Sequence, residues 1–187
     1  MCGIAGLVDF DGADAPESLV RAMCTAMLHR GPDDEGVMAI PRAPAANQPR
    51  AVLGNRRLSI IDVAGGHQPM ANEDGTIWVV QNGEIYNFLE LRERLVRGGH
   101  TLTTKSDTEI LVHLYEDLGP EFVRELDGMF AIALWDDRRK QLVLARDRFG
   151  KKPLLYAEAG GRLWFGSEFQ ALLADPAIRR DIDYDAL

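Results

Sequence analysis

Between residues 129 and 165 the chain twice writes an apolar run, a tight turn and a second apolar run, and this pattern limits the available folds more than any other. Residues 129–135 and 141–145 flank a polar turn at 136–139, while residues 153–158 and 162–165 flank Gly160-Gly161. Short apolar runs separated by such turns read as strand pairs. Further strands are expected over the first ten residues and at 36–40, 50–54, 76–81 and 100–104. Helical periodicity falls between them. A capping box at Asp14-Ala15-Pro16-Glu17 predicts a helix to about Leu28, with Leu19, Val20, Met23, Met27 and Leu28 on one face and Cys24 in the core. Helices are also predicted from Asn87 to the stop at Gly98-Gly99, from Ser106 to Gly119-Pro120, over 121–126 and over 168–174. Strand pairs with helices between them predict an α+β sandwich with mostly antiparallel sheets.

A length of 187 residues suits one domain with a substantial core. A formal net charge of -8 removes the global electrostatic case for binding nucleic acid or an anionic membrane. The chain has no apolar stretch approaching the roughly 18 to 20 residues of a membrane span. Asp9, Asp11 and Asp14 also spoil a signal-peptide reading. Two cysteines make no disulfide framework, which favours a reducing, cytoplasmic setting. The carboxylates of the 29–36 turn lack calcium-loop spacing. There is no zinc-spaced cysteine set and no Walker-A or GxGxxG motif, so no metal or nucleotide is expected here.

Cys2 directly follows Met1, so loss of one methionine exposes a first residue carrying both a thiol and an α-amine. Such an amine can accept the thiol proton, directly or through water. The competing reading is that Cys2, Ile4, Leu7, Val8 and Phe10 begin a buried strand in which cysteine is a small hydrophobe. Several other stretches carry two readings of this kind. Arg56-Arg57, ahead of the flexible Gly65-Gly66 loop, is either a surface charge pair or an anion anchor under a lid. Asn82-Gly83 would ordinarily mark a hairpin, but the helical pattern that follows places it at a strand end leading into a helix. Asp107 is either a helix-stabilising charge or a site carboxylate. Residues 41–49 read as an exposed, mobile loop, and the basic turn 146–152 as a solvated or partner-facing loop.

Taken together, Met1-Cys2-Gly3-Ile4, Arg30-Gly31-Pro32-Asp33, Arg57-Leu58-Ser59-Ile60-Ile61-Asp62, Asn82-Gly83-Glu84-Ile85-Tyr86-Asn87, Ser106-Asp107-Thr108-Glu109 and Arg146-Asp147-Arg148-Phe149-Gly150 resemble the class II glutamine amidotransferases. Within them, the set is most similar to the N-terminal glutaminase domain of glutamine-hydrolysing asparagine synthetases. The resemblance covers nearly the whole chain. It implies the N-terminal-nucleophile hydrolase fold, a four-layer αββα sandwich.

The resemblance also implies roles. Cys2 attacks the side-chain amide of L-glutamine, its α-amine serves as base, and Asn82 with Gly83 holds the oxyanion. Arg57 pairs the substrate carboxylate, Glu84 and Asp107 pair its ammonium, and the loop from about Ser59 to Gln68 closes over it. Residues 1–175 would form the amidotransferase domain and 176–187 a linker-like tail toward a C-terminal synthetase domain, where ATP and magnesium would act. A homodimer is compatible with this reading. A sugar-phosphate-aminating relative and a non-catalytic docking domain are the alternatives.

Overall fold

In the computed structural model, strand β1 (Gly3–Asp9) is buried along its whole length and is the middle strand of a sheet ordered β2-β3-β1-β9-β8. The structure describes residues 1–12, 15–41, 47–58 and 65–181. Helix α1 (Glu17–Ala26) follows, then β2 (Asp34–Ile40), β3 (Arg50–Arg57), β4 (Met70–Ala71) and β5 (Ile77–Ile85). Helices α2 (Phe88–Gly98) and α3 (Glu109–Leu118) lead through a 3-10 turn (Gly119–Glu125) into β6 (Gly128–Asp136) and β7 (Gln141–Arg146). Strands β8 (Leu155–Ala159) and β9 (Arg162–Gly166) and helix α4 (Phe169–Leu172) complete the order. The second sheet runs β4-β5-β6-β7, and every strand pairing in both sheets is antiparallel.

Alternation along the strands builds the layers, because successive side chains point to opposite faces. In β1, Ala5 and Leu7 pack with Val20, Met23, Cys24 and Met27 of the α1 segment. Ile4 and Val8 turn the other way, meeting Val80 of β5 and Ala131, Ala133 and Trp135 of β6. The outer face of the second sheet, with Val79, Phe130, Ile132 and Leu134, packs on Leu91 and Leu95 of α2 and Ile110, Leu111 and Leu114 of α3. Three apolar cores therefore separate four layers in the order αββα, as expected.

Several boundaries differ from the sequence reading. Pro16, not a carboxylate, precedes α1, and no side chain caps it; Asp14 lies outside the described residues. Strands β2 and β3 run longer than predicted, and the Arg56-Arg57 pair ends β3. Strand β5 passes through Asn82-Gly83 to Ile85, and this pair is not the strand end predicted. The alternating residues 100–104 form no strand. Instead the N–H groups of Thr103 and Thr104 donate to the Glu109 carboxylate at 2.6 and 2.7 Å, and their hydroxyls donate to it at 2.8 and 2.7 Å. Residues 42–46 of the predicted mobile loop, 59–64 of the predicted closing loop, and 182–187 lie outside the described residues. No helix among the described residues is long and apolar enough to cross a membrane.

Candidate active site

Cys2 precedes Ile4 by two residues and so takes the face of β1 that looks toward the second sheet, just where that strand begins. Its Sγ is half-buried against Leu58, whose N–H points to the sulfur at 3.4 Å and whose carbonyl oxygen lies 3.7 Å away. Leu58 can thus donate to a thiolate or accept from a thiol. The Cys2 carbonyl oxygen accepts from Arg30 Nε at 3.0 Å, and Arg30 Nη1 donates to Glu168 Oε1 at 2.8 Å. Burial pushes the Glu168 carboxyl up, but hydrogen bonds from Arg30 and His29 outweigh it and hold the group below its ordinary range. One residue along, Ile4 N–H donates to Ser167 Oγ at 3.0 Å while Ser167 N–H donates to the Ile4 carbonyl at 2.9 Å. Met1 is 61% exposed, with Lys152 Nζ 3.6 Å from its sulfur.

Across the sandwich, Asn82 and Glu84 share the inward face of β5 with Val80. Asn82 is 1% exposed, and its Nδ2 has no hydrogen-bond partner among the described residues. A buried amide donor of this kind is uncommon unless something else uses it. Gln81 N–H donates to Gln68 Oε1 at 2.7 Å and Ile85 N–H to Asp107 Oδ2 at 3.0 Å, so both point off the edge of β5 that β6 does not occupy. Main-chain N–H groups two residues apart point to the same side of a strand. Gly83 N–H therefore lies on this edge as well, where β4, which pairs only with Trp78 and Val79, does not reach. Position 83 must also be glycine, since a Cβ there would overlap the Met129 carbonyl oxygen on the neighbouring strand.

The two arginines of the pair part company. Arg56 turns outward, donating to the Gly31 carbonyl at 2.8 Å and to Glu35 at 3.0 Å. Arg57 is buried on the inward face with Asn55 and Leu53. Asp107 does not cap α3, whose cap position is Thr108 with no side-chain cap bond; its carboxylate turns to β5, accepting from Ile85 N–H and from Gln81 Nε2 at 3.3 Å. Burial pushes the Asp107 carboxyl up, and the Ile85 and Gln81 donors only partly offset this. For Glu109, burial acts in the same direction but the Thr103 and Thr104 donors prevail and hold it below its ordinary range. That clamp sets the turn in which Asp107 sits.

These residues line one cavity of about 130 Å³: Cys2, Arg57, Asn82, Gly83, Glu84 and Asp107, joined by Gly66, Gln68 and Lys152. It offers a thiol, two neutral donors, a guanidinium and two carboxylates. Such a set can take a small zwitterion and hold a carbonyl against a nucleophile. Three contributors escaped the sequence reading. Arg30 falls in the 29–36 stretch that the sequence reads as a turn. Gln68, expected in a moving loop, is a buried brace that also donates to Thr108 Oγ1 at 3.2 Å. Lys152 is buried although its basic turn reads as solvated; Phe149 of that turn, 88% exposed, does face outward.

Two antiparallel sheets between helical layers, with Cys2 at the head of a central strand, form the αββα sandwich of the N-terminal-nucleophile hydrolase fold. The fold matches the solved structure of glutamine phosphoribosylpyrophosphate amidotransferase from B. subtilis, complexed with ADP and GMP, with a TM-score of 0.71 over 92% of this chain and 43% of that one, at 20% identity. A family model described as a glutamine amidotransferase domain matches residues 1–187. The chain belongs to that glutamine amidotransferase domain family. Among curated relatives, asparagine synthetase [glutamine-hydrolyzing] 2 of Bacillus subtilis (strain 168) is 41% identical over 98% of this chain. Asparagine synthetase [glutamine-hydrolyzing] 3 of Arabidopsis thaliana is 43% identical over 94% of it. The chain spans 24% and 29% of the lengths of these two relatives.

Proposed function

We propose that this chain, once Met1 is removed, hydrolyses L-glutamine to glutamate and ammonia through a thioester on Cys2. The observation that carries the proposal is the buried Asn82 Nδ2, without a partner among the described residues, next to Gly83 N–H on an edge of β5 that no described strand covers, in the cavity that holds the Cys2 thiol. Two neutral donors at that place suit an oxyanion formed by attack at a carboxamide carbon. The Cys2 α-amine takes the thiol proton as the carbon–sulfur bond forms, then passes it to the departing nitrogen, which leaves as ammonia. Water, deprotonated by the same amine, cleaves the thioester and restores the thiol. Arg57 pairs the α-carboxylate of the substrate, and Glu84 and Asp107 its ammonium. This selects the free amino acid, because peptide-bound glutamine lacks one or both charges.

The relatives' greater length supports a wider role, in which the ammonia serves a synthetase domain that converts aspartate to asparagine with ATP. ATP and magnesium belong to that domain, and the whole works in the cytoplasm. Glutamate release from glutamine by the Met1-free protein tests the local reading. Asn82→Ala should lower kcat about 10²- to 10³-fold. Release from peptide-bound glutamine at a rate similar to that from the free amino acid would sink the assigned roles of Arg57, Glu84 and Asp107.

A further inference from the structure

Outside this cavity, Glu73 from the β4–β5 turn, His100 just after α2 and His113 within α3 bring one ligating atom each to within 4.8 Å of the others. Glu116, one helical turn after His113, lies beside the two histidines. Its Oε2 lies 3.0 Å from His113 Nδ1 and 3.6 Å from His100 Nδ1, while Glu73 Oε2 lies 3.6 Å from His113 Nδ1. The two imidazole rings are 5.0 Å apart between centroids, and the His113 side chain is only 1% exposed. No step of the proposed reaction uses these groups.

The surrounding hydrogen bonds fix how they face. His100 Nε2 lies 3.0 Å from Asp117 Oδ1, and Asn72 Nδ2 donates to Glu116 Oε1 at 2.8 Å. A neutral imidazole that donates from one nitrogen presents a bare lone pair at the other. With a neutral ring donating from Nε2 to Asp117, His100 Nδ1 faces Glu116 Oε2 as a second acceptor, a pairing that either a proton on Nδ1 or a bound cation relieves. The carboxylate behind His100 is also the partner that metal-bound histidines use to fix their tautomer. Ligand bonds of about 2.0 to 2.2 Å around a tetrahedral ion separate the ligands by roughly 3.3 to 3.5 Å. Three of the six separations, 3.0, 3.6 and 3.6 Å, lie near that edge length, and the Glu73, His100 and His113 atoms all fall within 4.8 Å of one another.

We propose that Glu73, His100, His113 and Glu116 bind a divalent transition-metal ion of the zinc type. Two imidazoles with two carboxylates select such an ion over magnesium or calcium, which prefer oxygen ligands throughout. The half-exposed Glu73 side chain, 47% accessible, gives the ion a route from solvent. Once bound, the ion ties the β4–β5 turn and the end of α2 to α3, the helix that begins two residues after Asp107. The ligands come from three separate segments, so no sequence spacing announces the site.

The test is calorimetric titration of Zn²⁺ into the chelator-treated full chain carrying Cys2→Ser, which removes the competing thiol. One equivalent should bind, excess Mg²⁺ should not displace it, and the Glu73→Gln/His100→Gln variant should bind at least about tenfold more weakly. Both substituted side chains reach the surface, and circular dichroism checks that the variant is folded. Co²⁺ should give the visible absorption of a tetrahedral nitrogen- and oxygen-bound ion. Absence of Zn²⁺ binding, which would leave the cluster held by protons alone, overturns the proposal. Equal affinity in the variant overturns it too. Neither result bears on glutamine hydrolysis.

Discussion

Arg30 Nε donates to the carbonyl oxygen of Cys2 at 3.0 Å, so the proposed nucleophile is held from behind by a side chain that does not line the cavity. Glu168 in turn fixes the guanidinium. Lysine cannot hold both partners with one planar fork. Arg30→Lys is expected to lower kcat about 10- to 100-fold, the scale of a small misplacement, with the KM for glutamine little changed. Steady-state kinetics separate the possibilities, since a raised KM with intact kcat would make Arg30 a substrate contact instead.

On the proposed roles, protonation of Asp107 weakens glutamine binding in acid. Burial raises its carboxyl above the ordinary value of 3.8, while the proposed pairing with the substrate ammonium needs the carboxylate. The affinity of the Cys2→Ser protein for glutamine, which does not depend on the catalytic base, should therefore begin to fall, on acidification, at a higher pH than an ordinary carboxylate would give, and Asp107→Asn should weaken glutamine binding at every pH. Stability runs the other way. A carboxyl raised in the folded state favours folding while protonated, and that contribution is lost as pH rises through its folded value. Urea unfolding at neutral pH should find Asp107→Asn as stable as the wild type or more so.

Asp147 has the opposite sign. Burial pushes its carboxyl up, but main-chain N–H groups of Lys151, Lys152, Phe130 and Phe149, at 3.0 to 3.2 Å, outweigh it and hold the group low. Its contribution is present above the unfolded value and is lost as pH falls through the folded one. Removing the acceptor leaves several donors unpaired, at about 1 to 3 kcal/mol each if buried and not fully additive. Asp147→Ala should lose about 3 kcal/mol or more by denaturant titration at neutral pH, and the difference from wild type should shrink in acid. A neutral effect would show that the turn before Lys152 is held by other contacts.

The two thiols should separate cleanly. Cys24 is buried between α1 and the first sheet, and burial, with Glu35 adding to it against Arg56 and Arg21, pushes its thiol up to about 12. Native protein treated with iodoacetamide should carry one label, on Cys2, with Cys24 reacting only after denaturation. Peptide mapping reads this directly.

The layered fold was legible because alternation and helical periodicity repeat over many residues, and the six motif residues carried the cavity. What escaped depended on distant partners. Asn82-Gly83 reads as a strand end from its turn propensity, yet the register with Phe130 and Ala131 of β6 carries β5 through it. Residues 100–104 alternate like a strand, but Glu109 captures two of their N–H groups from the next helix. Arg30, Gln68 and Lys152 gave no local signal, because each acquires its place only when β1, β5 and the turn after β7 meet. The Arg30-Gly31-Pro32-Asp33 motif was the one hint available for the first of them.

In the proposed reaction Cys2 becomes a nucleophile only when its own α-amine is free. The most direct measurement is intact-mass spectrometry after exposure to an electrophilic glutamine analogue, comparing Met1-free protein, a form that retains Met1, and Met1-free Cys2→Ala. Rapid modification at Cys2 in the first, little in the second and none in the third is the predicted result. Modification of the Met1-retaining form at the Met1-free rate, or of the Cys2→Ala protein at all, would contradict it.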